Sequence, residues 1–386
     1  MGCWDRILIA LFLAVILIPG GGLLFGVEDE GVRGENRTLV SAPAIHADVA
    51  ALRALPDAFS RYVEDRFALR SWLVRTQADL RFRLLGVSPS PDVVVGRDGW
   101  YFYAGDGAIE DYTSAEQMSA EDLEVWRQTL QDTQDWLAAQ GIAYLFVVAP
   151  DKHAVYPEMM PRSIHRLREE WRTDELVRYL RQRSTVNVLD LRPALIEAKA
   201  RERIYQRTDT HWNDRGAIVA YQQVVGALGA AAGLQAFGLE ALPRSAYRDT
   251  ERRVPGLDLA AMMGLEDRVL EDDLALIPLQ SRRARVVEPE APEPHGVEAR
   301  LATEIEDLRL PRAVFFRDSF ASSLVPFLSE HFSRALYLWE YDLDPEVIAQ
   351  ERPNVVVQEY VGRRFGTLLP YNAVAGRLKP APTTTP

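Results

Sequence analysis

Residues Ile142–Pro150 read "IAYLFVVAP", and this run decides the fold class. It is β-branched, aromatic and aliphatic without a charge, the pattern of a strand buried on both faces rather than one alternating between core and water. Runs of the same kind recur as "VNVLDL", "AVFF", "ALYLW" and "NVVVQEY", with helical stretches such as "AEDLEVWRQTLQDTQDWLAAQG" between them. Strand and helix in alternation predict an α/β fold in which a mostly parallel sheet is covered by helices. Ligands of such sheets gather at the carboxyl ends of the strands, so chemistry is to be sought there.

Outward from this centre the chain divides into zones. "DVVVGRDGWYFYAG" predicts a β-hairpin turning at Asp98-Gly99. Residues 238–310 break the rhythm with Pro, Arg and acidic clusters such as "VEPEAPEPHG" and are expected as a long insertion of loops, partly structured. Residues 28–87 are expected as a polar tether followed by an amphipathic helical segment, in which Phe67, Leu69, Leu73, Leu80 and Leu84 recur at helical intervals and pack on the main domain. The main domain is expected over 88–370, and residues 371–386, ending "LKPAPTTTP", as a disordered tail.

The amino-terminal stretch Ile7–Val27 carries no charge and is about long enough to cross a hydrocarbon core of roughly 30 Å. Arg6 precedes it and Glu28, Asp29 and Glu30 follow, which favours a signal anchor over residues 1–27 with the body outside the cytoplasm. A cleaved signal peptide is the rival reading, although no clean small-residue cleavage site follows. The single cysteine, Cys3, excludes an internal disulfide framework and a multi-cysteine metal site. A net charge of -12 over 386 residues argues against broad nucleic-acid binding.

Two segments carry chemistry. In "RAVFFRDSFASSLVPFLSEHF" an apolar strand runs into Arg317-Asp318-Ser319 and then into a helix-forming stretch. A serine at such a turn projects its hydroxyl at the sheet edge, where the first N–H groups of the helix face a developing oxyanion. Ser319 is therefore a candidate nucleophile; equally, serine is favoured as a helix cap. A serine hydroxyl needs a base, and the base a third group to orient it. "YQRTDTHWNDRGA" offers both in Asp209 and His211, with Asn213 or Asp214 placed to cap the next helix. The plain alternatives are a turn aspartate and a buried, hydrogen-bonded histidine. His331 lies too far beyond Ser319 to take part and is expected to pack its helix or face solvent.

"RTDTHWNDRGA", followed about 110 residues later by "FRDSF" and preceded by "VVAPDKHAVYP" and "GRDGWYFY", resembles the alginate O-acetyltransferase group of the AlgJ and AlgX type. The resemblance covers about residues 88–365. It implies a three-layer α/β/α domain similar to SGNH hydrolases, with Asp209, His211 and Ser319 as the triad. It also implies an extracytoplasmic enzyme of the inner membrane that acetylates an exported polysaccharide such as alginate, without a metal or other cofactor. A membrane-bound O-acyltransferase would be the partner that passes acetyl across. Arg317 stands where ordinary SGNH hydrolases have Gly, so only the Ser319 N–H is carried over as an oxyanion donor. Without a carbohydrate-binding module expected after the last strand, the likeness is closer to the membrane-anchored AlgJ type. Lys152, after the central strand, is expected to steady an acetyl donor or an anionic sugar, and Trp212 to stack on a sugar ring or close the core. An acetyl esterase with the same triad, or a non-catalytic scaffold of an export complex, are the competing readings.

Overall fold

The computed structural model describes residues 4–10, 12–13, 40–43, 49–66, 70–115, 117–287 and 300–375. Most of the apolar run Ile7–Val27, most of the polar tether and the "LKPAPTTTP" tail lie outside these residues. Among the described residues no helix is long and apolar enough to cross a membrane.

Two compact units emerge: the residues up to Pro89 with Met263–Leu265, and Ser90–Met262 with the residues from Glu266 onward. The first contains helices α1 (Val49–Arg66) and α2 (Arg70–Leu85). Leu73, Leu80 and Leu84 share one side of α2, and all three are exposed.

The second unit opens with the hairpin of β1 (Val93–Val95) and β2 (Tyr101–Tyr103), Val95 opposite Tyr101. Asp98 and Gly99 both have positive φ, 53° and 78°, and the Trp100 N–H donates to the Arg97 carbonyl at 2.9 Å. Two successive left-handed residues give the turn whose twist matches paired strands, and Asp-Gly is the pair that tolerates it. There follow α3 (Ala108–Thr113), α4 (Ala120–Ala138), β3 (Ala143–Ala149), α5 (Lys152–Val155), α6 (Arg172–Arg183), β4 (Val188–Asp190), α7 (Arg192–Lys199) and α8 (Asp214–Ala230). A ribbon of β5 (Tyr247–Pro255) and β6 (Leu270–Pro278) encloses α9 (Asp258–Met262). The chain then forms β7 (Arg285–Val287), β8 (Arg300–Glu304), β9 (Arg312–Phe316), α10 (Val325–Leu328), β10 (Arg334–Leu338), α11 (Pro345–Glu351) and β11 (Val355–Val361).

The main sheet has the order β4-β3-β11-β9-β10-β8-β7. Its first five strands are mutually parallel, and β8 and β7 extend it antiparallel. Successive side chains on a strand point to opposite faces. Leu145, Val147, Phe315 and Val357 therefore pack on one side with Leu195 of α7 and Tyr221, Val224 and Leu228 of α8. Phe146, Val148, Phe316 and Val356 pack on the other with Trp126 and Leu130 of α4, Leu180 of α6 and Ile348 of α11. Both faces are dry, which is why the strands read as unbroken apolar runs. Burying each such Val, Leu or Phe side chain stabilises the fold by roughly 1.5–3 kcal/mol. The result is the three-layer α/β/α arrangement.

Over 238–310, expected as loops, partly structured, stand a nine-residue strand pair and two further strands of the main sheet; residues 288–299, with most of "VEPEAPEPHG", lie outside the described residues. Charge hid the ribbon. Arg252 sits opposite Asp273 and Arg253 opposite Asp272, and Arg252 pairs with Asp273 at 3.1 Å, so cross-strand ion pairs stand where apolar residues would have signalled strands.

Candidate active site

At the carboxyl end of β9 the chain passes Arg317 and Asp318 and turns at Ser319 into a short 3₁₀ helix, Ser319–Ser323, before α10. The cap of this turn is Asp318, whose Oδ1 accepts the Phe320 N–H at 2.8 Å. Ser319 is thus free of the capping role that serine often takes, and its half-buried hydroxyl faces outward from the sheet end. Asp318 is itself held fast: its Oδ2 accepts the Val361 N–H at the end of β11 and the Tyr341 hydroxyl, each at 3.0 Å. Its own N–H donates to Glu359 at 3.0 Å. Burial, with the charge of Asp318 beside it, pushes the Glu359 carboxyl well above the usual range. The expected α-helix start is a 3₁₀ turn, and because Asp318 occupies the Phe320 N–H, only the Ser319 N–H of the turn's first two stands ready for an oxyanion.

The second segment is a loop closed at its base by a bridge between Tyr205 and Trp212. Asn213 then caps α8, its side chain accepting the Arg215 and Gly216 N–H groups at 3.0 and 3.1 Å. Gly216 lies so close to the Ile204 carbonyl and the Trp212 Cβ that any side chain there would collide, which lets α8 start directly beneath the loop. Within the loop, Asp209 Oδ1 accepts the His211 backbone N–H at 2.9 Å and faces the ring Nδ1 at 2.8 Å. The turn-aspartate reading and the ring-orienting reading are therefore both true of one oxygen atom. The opposite ring nitrogen, Nε2, lies 2.8 Å from the Ser319 Oγ. Residues far apart in sequence stand in the line carboxylate, imidazole, hydroxyl. Phe320 packs its ring edge-on to His211 at 4.8 Å.

Burial by itself lowers the pKa of His211; the hydrogen bond and charge of Asp209, then Asp258 and Asp318, outweigh it and leave it above the ordinary histidine value. Burial likewise raises Asp209, but the His211 ring and backbone N–H and the Lys152 charge bring it below the usual carboxylate value. The two shifts have one cause: the charged imidazole and its carboxylate stabilise each other.

Lys152, expected to steady a donor or an anionic sugar, and Trp212, expected to stack on a sugar ring or close the core, are both buried. The Lys152 ammonium donates to the carbonyls of Gln206 and Arg207, each at 3.0 Å, and to that of Asp209. Three donors meet three acceptors, all in the loop that carries Asp209 and His211. Burial pulls its pKa down to about 7, against the carboxylates of Asp258, Asp209 and Glu271. Trp212 donates to Ser323 Oγ and stacks edge-on against Phe320 at 5.1 Å, so it closes the core. Of the neighbours of Lys152, Asp151 pairs with Arg363, whose backbone N–H it also accepts at 2.9 Å, and His153 meets Asp111 at 3.1 Å. His331 packs as expected, 2.7 Å from the Tyr221 hydroxyl.

The inserted ribbon holds the loop from the other side. Glu271 accepts both the N–H and the hydroxyl of Thr208, at 2.7 and 2.8 Å, and Asp258 accepts the Thr210 N–H at 2.8 Å. Neither residue was legible in the sequence, because each lies in a charged segment with no motif. Among the described residues two groups of carboxylates and imidazole lie within 4.8 Å, Asp111-Asp151-His153 and Asp209-His211-Asp258. In the first, Arg363 already neutralises Asp151; in the second, the ring nitrogen that a metal would need faces Asp209. A cleft lined by Leu239, Tyr247, Arg283 and Glu330 opens at the amino ends of β9 and β10 and contains none of the three aligned residues.

The family model described as the SGNH hydrolase-like domain of acetyltransferase AlgX matches residues 93–335. A probable alginate O-acetylase AlgJ of Pseudomonas syringae pv. tomato is 27% identical over 233 residues, 59% of this chain and 53% of that protein. One of Pseudomonas putida is 30% identical over 181 residues, 45% of this chain and 43% of that protein. The chain thus spans about half the length of the curated relatives it matches. Its fold is similar to the structure of Bacillus cereus PatB1, with TM-score 0.51 and 15% identity over 71% of this chain and 96% of that one.

Proposed function

The chain belongs to the family of the SGNH hydrolase-like acetyltransferase AlgX domain, and from that premise we propose that it transfers acetyl groups to hydroxyls of a polysaccharide through an acetyl-Ser319 intermediate. The observation that carries the reading is the alignment of Asp209, His211 and Ser319, with 2.8 Å on each side of the imidazole, at the carboxyl end of a parallel strand. The names of the relatives, probable alginate O-acetylases, support acetyl as the group and a polysaccharide such as alginate as the acceptor.

His211 Nε2 takes the proton of the Ser319 hydroxyl as Oγ attacks the acetyl carbonyl of the donor. The tetrahedral oxyanion accepts the Ser319 N–H, and collapse expels the donor's leaving group, which takes the proton back from Nε2. A sugar hydroxyl then gives its proton to the same nitrogen and attacks acetyl-Ser319; the second tetrahedral intermediate collapses to the acetylated sugar, and the departing Ser319 oxygen takes the proton back from Nε2. Asp209 keeps Nδ1 protonated and its ring aligned throughout. The run Ile7–Val27 anchors the protein with this domain outside the cytoplasm, where a membrane-bound O-acyltransferase supplies the donor; a reporter fused after Pro386 that is active only in the cytoplasm would refute this placement.

The experiment mixes the full-length protein with an activated acetyl ester, with and without an acidic oligosaccharide acceptor. Acetylated sugar is the expected product, and free acetate alone would make the protein an esterase. Ser319→Ala and His211→Ala should each lower transfer roughly 10³-fold or more, about 4 kcal/mol of transition-state stabilisation, with circular dichroism unchanged.

A further inference from the structure

His211 Nδ1 faces two carboxylates. Asp209 Oδ1 is at 2.8 Å, and Asp258 Oδ2, from the first residue of α9 in the inserted ribbon, is at 3.9 Å. The other Asp258 oxygen accepts the N–H of Thr210, the residue between Asp209 and His211, at 2.8 Å. That bond turns the carboxylate with Oδ2 toward the ring. The start of α9 is tied to the same loop, since Leu259 N–H donates to the Thr208 carbonyl at 3.0 Å and Leu257 N–H to the Thr208 hydroxyl at 3.1 Å. Asp258 therefore keeps its place relative to the imidazole through the loop that carries the imidazole.

We propose that Asp258 is a second positioning carboxylate for His211: it faces the imidazolium that forms in both half-reactions, and it takes the Nδ1 hydrogen bond when Asp209 cannot. The proposal rests on the triad reading above and adds a residue to it. At 3.9 Å the oxygen is about 1 Å beyond hydrogen-bond distance. The Asp258 side chain is 38% exposed, so a rotation can close that gap without repacking the core. The charged groups that bear on the ring are Asp209, Asp258 and Asp318, with the Lys152 ammonium acting on Asp209 and on Asp258 from behind. Burial and the Asp209 charge raise the Asp258 carboxyl, so of the two facing Nδ1 it is the one that loses its charge first on acidification.

Asp258→Asn keeps an oxygen for the Thr210 N–H while removing the charge, so loop geometry and electrostatics are separated. The imidazole pKa of His211 is read by NMR of the full-length protein, and acetyl transfer is measured alongside. We expect Asp258→Asn to lower the His211 pKa and move the acid limb of transfer to lower pH, with transfer itself reduced less than about tenfold. Asp209→Ala should retain at least about tenfold more transfer than Asp209→Ala with Asp258→Asn, because acting together the two carboxylates back each other up. An unmoved His211 pKa in Asp258→Asn, or a double variant no worse than Asp209→Ala, overturns the proposal. The NMR titration needs no turnover, so it tests Asp258 even if Ser319→Ala were to retain transfer and overturn the triad reading instead.

Discussion

His211 is pulled in two directions, downward by burial and upward by three nearby carboxylates, and the upward pull wins. A base works only in its neutral form, so the fraction able to accept the Ser319 proton grows as pH rises through that raised pKa. Acetyl transfer should therefore rise along an acid limb centred above the ordinary histidine value of about 6.5. A profile of kcat/KM against pH checks this, and a limb well below 6 or a flat curve would count against His211 as base. The elements of the line were legible in the sequence because each sits in a local signal: Ser319 after an apolar strand, Asp209 and His211 one residue apart ahead of a cappable helix. What the sequence could not decide was which residue caps the 3₁₀ turn. Asp and Ser are both favoured there, and only the structure places the Asp318 carboxylate on the Phe320 N–H and leaves the Ser319 hydroxyl to His211.

The loop between Tyr205 and Trp212 is held by elements on two sides. From α5, which follows β3, comes Lys152, with its ammonium on three loop carbonyls, and from the inserted ribbon come Glu271 and Asp258. A lysine after a central strand looks from sequence like a ligand contact, because nothing local shows that a loop some 55 residues later folds over it. Lys152→Met should thus act through the loop and not through substrate affinity. Stripping three carbonyls of their donor should cost on the order of 2–3 kcal/mol of stability and lower kcat with KM little changed. Urea unfolding together with steady-state kinetics reads both, and a selective rise in KM would return Lys152 to the substrate-contact role. The ribbon itself was hidden for a physical reason: β5 is rich in charge, with Arg252 and Arg253 opposite Asp273 and Asp272, so the period-two apolar signal on which strand reading depends is missing from "YRDTERRVP".

At the scale of the whole molecule, strand order makes the site. β11 lies between β3 and β9, so the last strand of the chain brings Val361 and Arg363 to the carboxylates that end the two segments flanking it, Asp318 and Asp151. The α/β class and the five parallel strands were legible from their unbroken apolar runs; the order was not, because a buried strand reads the same in any position of a sheet. Ahead of the amino end of β10, His331 is buried against Tyr221, and burial lowers its pKa to about 4. The unfolded chain takes up that proton near 6.5 and the folded one only near 4, so this residue's contribution is complete above pH 6.5 and is lost as pH falls toward 4. The loss is on the order of 3 kcal/mol, and His331→Gln should flatten that part of the stability curve; parallel curves for variant and wild type would refute it. The central claim is the covalent intermediate on Ser319. Its most direct test is intact and peptide mass spectrometry of the acid-quenched full-length protein after brief exposure to an activated acetyl ester without acceptor. The account predicts one added acetyl group, on the peptide containing Ser319, discharged by an acceptor sugar and absent from Ser319→Ala. Acetyl carried on another residue, or transfer that persists in Ser319→Ala, would contradict it.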